Sequence, residues 1–417
     1  MRVWVVSVGE PLPFDEGHPR LLRAGILARM MAARGHDVTW WSSTVIHMQK
    51  TLRFNETTVV PQGPNLNIVC LHGGLYTKNI SIARIANQVR LAFAFFGKAK
   101  TMPKPDVIFC AMPTIEFCTA AVLLKKQTGA KVVMDVRDYW PDIWEEAAPE
   151  KWRWLAKLFI APWQFMLRWS LMRADRVMGF TDLAVDWAFS KVSRKRTPAD
   201  MGVPMAYELQ KFDEDVMQKA RAGWDARGID TKKTTICMIG TLTSRFAHLM
   251  HDAIEAVRLI PAEQRKNFRL VFAGTGEAAE GLKDAARDLP EIIFPGWIGA
   301  PDIQTLMERS CAGLLPYPNT ADFLVAMPNK SIEYLAGGLP IMSCLRGQIG
   351  KLINTEDCGF SYTEGDVTSL ATQFQRALNE PDTFEDKGHK ARALYDRRFT
   401  PDAVYGGLID ALENLKK

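Results

Sequence analysis

Lys330 and Glu333 stand three residues apart in the stretch MPNKSIEYLAGGLP, residues 327–340. The spacing places them one turn apart at the start of a helix that ends at Gly-Gly. The positive end of the helix dipole opposes a cation there, so a purely structural helix would favour an acid. Asn329 is a candidate N-cap of this helix. A lysine beside helix amides suits a phosphate, and a glutamate suits the two hydroxyls of a ribose. The competing reading is a solvated helix face. A second cluster, GTLTSR at 240–245, has matching chemistry. Gly240 closes an apolar run, and Thr241, Thr243, Ser244 and Arg245 bring amides, hydroxyls and a guanidinium suited to phosphate. In a third, MDVRDYWPDIW, Arg137, Asp138 and Asp142 directly follow the apolar run 132–136. Either these acids cap the next helix, or the group belongs to a site at the strand end.

Apolar, β-branched runs that alternate with helical patterns must position these residues. In the first half they cover 3–8, 38–41, 67–71, 106–111, 131–136 and 176–181, with a helix expected at 19–34. In the second half they cover 235–240, 269–274, 292–295, 312–316, 340–344 and 359–362. The alternation predicts α/β architecture: two facing, doubly wound Rossmann-like domains with mostly parallel sheets. The boundaries read as 1–204, 205–398 and a C-terminal helix, 399–417, that packs back on the first domain. The charged passage 205–233 reads as interdomain, and its Asp213-Glu214-Asp215 as solvated surface.

Parallel sheets bind ligands at the carboxyl ends of their strands, so the other junctions matter. After Gly9 runs a long loop with Asp15, Glu16 and His18, which is either a lid or filler. FAGTGE puts Gly274 and Gly276 at a strand end without a complete dinucleotide fingerprint. FPGWIG supplies Gly296, Trp297 and Ile298 as an edge for a flat base.

Tryptophans and basic residues interleave in KWRWLAKLFIAPWQFMLRWSLMRAD, and phenylalanines and basic residues in RIANQVRLAFAFFGKAK. These are either buried amphipathic helices or a surface for an anionic membrane. A formal charge of +5 is too small to argue for nucleic acid, and no motif for it occurs. Seven cysteines without a Cys-x-x-Cys pair suggest buried thiols in a reducing compartment. The opening MRVWVVSVGEP reads as a strand, and no run reaches the roughly 18–20 apolar residues of a spanning helix. The expected location is cytoplasmic, peripheral at the inner face of the membrane.

Taken in order, the Gly9 loop, DYWPD, GTL, FAGTGE, FPGWI and PNKSIEYLAGGLP resemble the retaining glycosyltransferases of family 4. The resemblance covers most of the chain and implies the GT-B fold. It implies transfer of a hexose from a nucleotide diphosphate sugar, with no metal and no separate cofactor. Relatives with an Asp-x-Trp-Pro element act on lipid-linked acceptors in cell-surface polysaccharide assembly. By motif match, Arg245 and Lys330 hold the diphosphate, Glu333 the ribose and Ile298 the base through its backbone. Asp138 orients or deprotonates the acceptor hydroxyl, making Asp138, Arg245 and Lys330 the catalytic set. Gly9, Gly240, Thr241, Gly274, Gly276 and Asn329 complete the donor site, and Asp15, His18 and Arg137 serve the acceptor or a lid. The chain departs from the pattern at Val325, where the family has an acid eight residues before Glu333; Asp322 is the nearest. The lysine expected after Arg245 falls within FAHLMH. Two alternatives are a nucleotide-sugar 2-epimerase of the same fold and a non-catalytic sugar-binding protein at the membrane surface.

Overall fold

The structure is a computed structural model that describes residues 1–16, 19–78 and 81–415. It divides into two units, Met1–Ala206 with Val404–Lys417, and Tyr207–Ala403.

The first unit contains β1 (Arg2–Val6), α1 (Arg23–Ala33), β2 (Asp37–Ser43), β3 (Val45–Ile46), β4 (Thr51–Leu52), β5 (Thr58–Gly63) and β6 (Leu66–Leu71). There follow α2 (Ile82–Ala99), β7 (Val107–Ala111), α3 (Ile115–Thr128), β8 (Lys131–Val136), α4 (Asp142–Ala147), α5 (Arg153–Leu171), β9 (Arg176–Gly179) and α6 (Asp182–Ser190). Seven strands form a sheet in the order β5-β6-β2-β1-β7-β8-β9, parallel except for β5. Both faces of the central strands are covered, so these strands read as continuous apolar runs. On one face α2, α3 and α5 pack side by side, with Phe95, Phe117 and Leu167 in the core. On the other, α1 shares its core with Tyr405, Leu408 and Ile409 of the last helix. The hairpin β3–β4 and the edge strand β5 have no counterpart among the expected strands. β3 has only two residues, and those of β4 and β5 alternate between half-buried and exposed, which leaves little apolar signal.

The expected helix at 19–34 is shorter, Arg23–Ala33. Leu22 is extended and makes no side-chain cap; instead the distant Glu10 carboxylate accepts the Ala24 amide at 3.0 Å.

The second unit contains α7 (Glu214–Ala226), β10 (Thr234–Ile239), α8 (Ala247–Arg258), α9 (Ala262–Arg265), β11 (Phe268–Ala273), α10 (Ala279–Ala285), β12 (Ile292–Gly296), α11 (Ala300–Glu308) and β13 (Ala312–Leu315). It continues through α12 (Ala321–Val325), α13 (Asn329–Ala336), β14 (Ile341–Ser343), α14 (Gln348–Glu356), β15 (Gly359–Ser361), α15 (Val367–Asn379) and α16 (Pro381–Arg398), before α17 (Pro401–Asn414). Its six-stranded sheet is wholly parallel, ordered β12-β11-β10-β13-β14-β15.

The passage 205–233 is not a bare linker. It carries α7, whose Met217, Ala220 and Trp224 recur at helical spacing and are buried. The Trp224 indole donates to the Asp302 carbonyl at 3.0 Å, fixing α7 against α11. Asp213, Glu214 and Asp215 are exposed at the start of this helix, and Glu214 pairs with Arg221 at 2.7 Å.

Candidate functional site

In the first unit the strand order reverses between β1 and β7, the kind of switch point where parallel sheets bind ligands. A cavity of about 320 Å³ opens there, walled by residues after β1, β7 and β8. Asp135 on β8 is fully buried and accepts Arg23 Nε and Nη2, both at 2.8 Å, and Arg137 Nε at 2.7 Å. Arg23 also donates to the carbonyls of Val203 (2.6 Å) and Pro204 (3.0 Å). Glu10 accepts from Ser7 Oγ at 3.0 Å and pairs with Arg137. Two carboxylates thus face two guanidiniums, the balance a buried ionic cluster needs. Burial alone would raise Asp135, but Arg23 and Arg137 outweigh it and hold its carboxyl below the usual range. Arg137 lines the cavity, and its Nη2 is buried with no hydrogen-bond partner.

Asp138 does not cap α4, whose N-cap is Pro141 without a side-chain bond. The Oδ1 of Asp138 accepts the Trp140 amide at 3.0 Å, a local turn, and the residue also lines the cavity. Burial raises its carboxyl above the ordinary range. Asp142 is instead held by Gln164, Trp187 and Lys191, a structural role.

Gly9 borders this same cavity, so the expected donor residue lies in the first unit. Asp15 is no loose lid: it forms a buried ion pair with Arg53, which also donates to the carbonyls of Ser43 and Val45. His18 lies outside the described residues.

His47, Tyr76 and Arg84 also line the cavity, though only Arg84 stood in a stretch singled out from sequence, as part of the basic, aromatic face. His47 Nδ1 lies 2.6 Å from the Tyr76 hydroxyl. Burial, then Lys50 and Arg84, push its imidazole down to about 4.

In the second unit, the residues expected to bind a donor gather around the carboxyl ends of β10, β11 and β13. Gly240 and Gly274 touch backbone to backbone; a Cβ on Gly274 would lie 1.8 Å from the Gly240 oxygen. Beyond them the loops zip together, Leu242 N to Thr275 O at 3.0 Å and Ala278 N to Leu242 O at 2.9 Å. Gly276 belongs to this zip, and Thr241 is exposed beside it. Glu277, unassigned from sequence, accepts from Thr243 Oγ1 at 3.1 Å and Ser244 N at 3.3 Å. Arg245 donates to Asp322 at 2.7 Å and lies over the Phe323 ring. Two carboxylates therefore occupy donors suited to phosphate. Both contacts are at the surface, where an exchange of partners costs little.

Helix α13 is set by Tyr334, fully buried against Gly313, where a Cβ would come within 2.3 Å of its ring. Its hydroxyl accepts the Ile239 amide at 2.9 Å, locking the helix to β10. Asn329 is not the N-cap. Pro328 holds that place without a side-chain cap, because its fixed, extended backbone already leads into the helix. Lys330 Nζ meets Glu333 Oε2 at 2.6 Å, and the Glu333 side chain is only 5% exposed. Trp297 stands 77% exposed beyond β12, while Ile298 turns inward. Among the described residues, no group of three His, Cys, Asp or Glu side chains is placed to hold a metal.

Residues 233–380, which span this sheet, match the family described as Glycosyl transferases group 1. Over these residues the chain is similar to the group 1 glycosyl transferases. The chain is also similar to the amylovoran biosynthesis glycosyltransferase AmsK of Erwinia amylovora, 28% identical over 167 residues. That alignment covers 39% of this chain and 41% of AmsK, less than half of either. Likeness in fold reaches further. The sucrose-phosphate synthase of Thermosynechococcus elongatus superposes with a TM-score of 0.71 at 15% identity, covering 99% of this chain and 98% of that one. Anabaena HepE in complex with UDP-glucose superposes at 0.64 and 14% identity, over 99% and 100%. Two Rossmann-like units that match these structures over almost their whole length give the GT-B fold.

Proposed function

We propose that this protein is a retaining glycosyltransferase of the family 4 type. It moves a hexose from a nucleotide diphosphate sugar to a lipid-linked glycan acceptor in cell-surface polysaccharide assembly. The observation that carries the reading is the close-packed junction of Gly240 with Gly274, which presents Arg245 beside the parallel strand ends of the region similar to group 1 glycosyl transferases. Support for a nucleotide-sugar donor comes from HepE, whose complex holds UDP-glucose. Support for polysaccharide assembly comes from the activity in the name of AmsK.

In this reading Arg245 exchanges its carboxylate partner for the donor diphosphate, and Lys330 gives the diphosphate a further N–H while staying beside Glu333. Glu333 takes the ribose hydroxyls, and the backbone at Ile298 takes the base. The bond from the anomeric carbon to the diphosphate oxygen breaks, and a new bond forms to the acceptor oxygen on the same face. The acceptor proton passes to a phosphate oxygen. Arg245 and Lys330 stabilise the charge on the departing diphosphate, worth about 3–4 kcal/mol per preorganised donor. Asp138 orients the acceptor hydroxyl beside the first-unit cavity. The exposed ridge of α5, with Trp154, Leu158 and Phe165 among basic residues and Trp152 just before it, supports contact with an anionic membrane surface.

Thermal unfolding with UDP, GDP and ADP, then with their sugars, tests the donor assignment. A nucleotide at 100 times its Kd adds about 2.7 kcal/mol. Arg245→Ala and Lys330→Ala should each abolish the shift and the transfer. Undiminished turnover in both overturns the assignment, and conversion of the nucleotide sugar without an acceptor favours the epimerase.

A further inference from the structure

A second cavity adjoins that of the first unit. It measures about 150 Å³ and shares Arg84, Gln88, Pro113 and Asp138 with its larger neighbour. The rest of its wall is mostly apolar, from Ile85, Trp140, Ile143 and Trp144. The aromatic surface continues outward. Trp140 meets Trp144 edge-on at 5.2 Å, and Trp144 stacks on Phe159 at 5.6 Å and 10°. Phe159 is 48% exposed. A ligand filling both cavities would be polar at one end and apolar at the other. At the join it would meet Arg84, with Arg137 in the wall of the larger cavity. The guanidinium charge of Arg84, shared by both cavities, favours an anionic group between the two parts.

We infer that the aromatic groove of Trp140, Ile143 and Trp144 is a subsite for the hydrocarbon chain of a phosphate-bearing lipid acceptor. The phosphate lies by Arg84, and the sugar occupies the larger cavity beside Asp138. The inference rests on the reading of the first unit as the acceptor-binding unit.

Isothermal titration with decyl phosphate, decyl glucoside and inorganic phosphate, all below micellar concentrations, tests it. Decyl phosphate should bind the wild-type protein at least about tenfold more tightly than either of the other probes. Trp144→Ala should weaken it by about tenfold while leaving inorganic phosphate unchanged, and Trp144→Phe should restore most of the affinity. Trp154→Ala, on the outer ridge, should leave decyl phosphate binding as it was. Equal affinity for decyl phosphate and inorganic phosphate overturns the subsite. So does indifference to Trp144→Ala, or a loss in Trp154→Ala as large as in Trp144→Ala, which would put the chain on the ridge. Titration with UDP, GDP and ADP in the same samples separates the failures. Nucleotide binding without the alkyl-phosphate preference sinks the subsite alone, whereas loss of both sinks the transferase reading as well.

Discussion

Lys330 carries a charge that the dipole of its own helix disfavours, and Glu333 one turn on resolves the conflict. The glutamate in turn is almost wholly buried and needs a cation, since an unpaired buried carboxylate is costly. The pair is self-sufficient without ligand, so the oddness of the lysine is weaker evidence for phosphate than its position alone suggests. His47 offers a test independent of activity. An unfolded histidine takes up its proton near 6.5, whereas the folded one resists until about 4, chiefly through burial. Between those values the unfolded state binds more protons, so stability rises with pH there and is complete above 6.5. The wild-type Tm should therefore fall more steeply than that of His47→Gln between pH 6.5 and 4. Parallel curves would show that His47 is not buried as described.

The strand-end loops of the second unit depend on backbone contact more than on side chains. Gly274 has a φ of +157° and no room for a Cβ against the Gly240 oxygen. Gly274→Ala should cost roughly 1–3 kcal/mol in urea unfolding and should also weaken nucleotide binding, because the loop bearing Arg245 must shift. A variant with unchanged stability would show that the loops do not pack this closely. Elements of this kind were legible wherever burial on both faces made an apolar run, as for 131–136, where β8 has the expected limits. They were not legible where few residues are buried. The face of α7 rests on only Met217, Ala220 and Trp224 within a charged segment, and β5 has no fully buried residue.

Across the whole molecule, large exposed apolar side chains concentrate in the first unit, above all on α5. Trp154 is 63% exposed, Leu158 69% and Phe165 69%, with exposed Arg153, Lys157 and Arg168 among them. Such a patch marks an interaction surface. No described helix is long and apolar enough to cross a membrane. The protein should float with vesicles containing anionic lipid, and Trp154→Ala with Leu158→Ala should reduce binding by about tenfold or more. Both side chains are exposed, so the double variant should keep its Tm to within a few degrees. Failure to float with or without anionic lipid would retire the membrane reading.

The sequence by itself determined the α/β class, the parallel strands and the strand-end clusters, because alternating burial and chain punctuation are local properties. It also exposed the glycines, whose freedom matters wherever backbones touch. Only the tertiary structure decided the partners of each charged group. Asp135, Glu10 and Arg23 are far apart in the chain and converge under the cavity. Glu277 reaches Thr243 and Ser244 across 34 and 33 residues of chain, and Asp322 reaches Arg245 across 77. Electrostatic energy depends on distance in space and on burial, and neither is written in the spacing of residues along the chain.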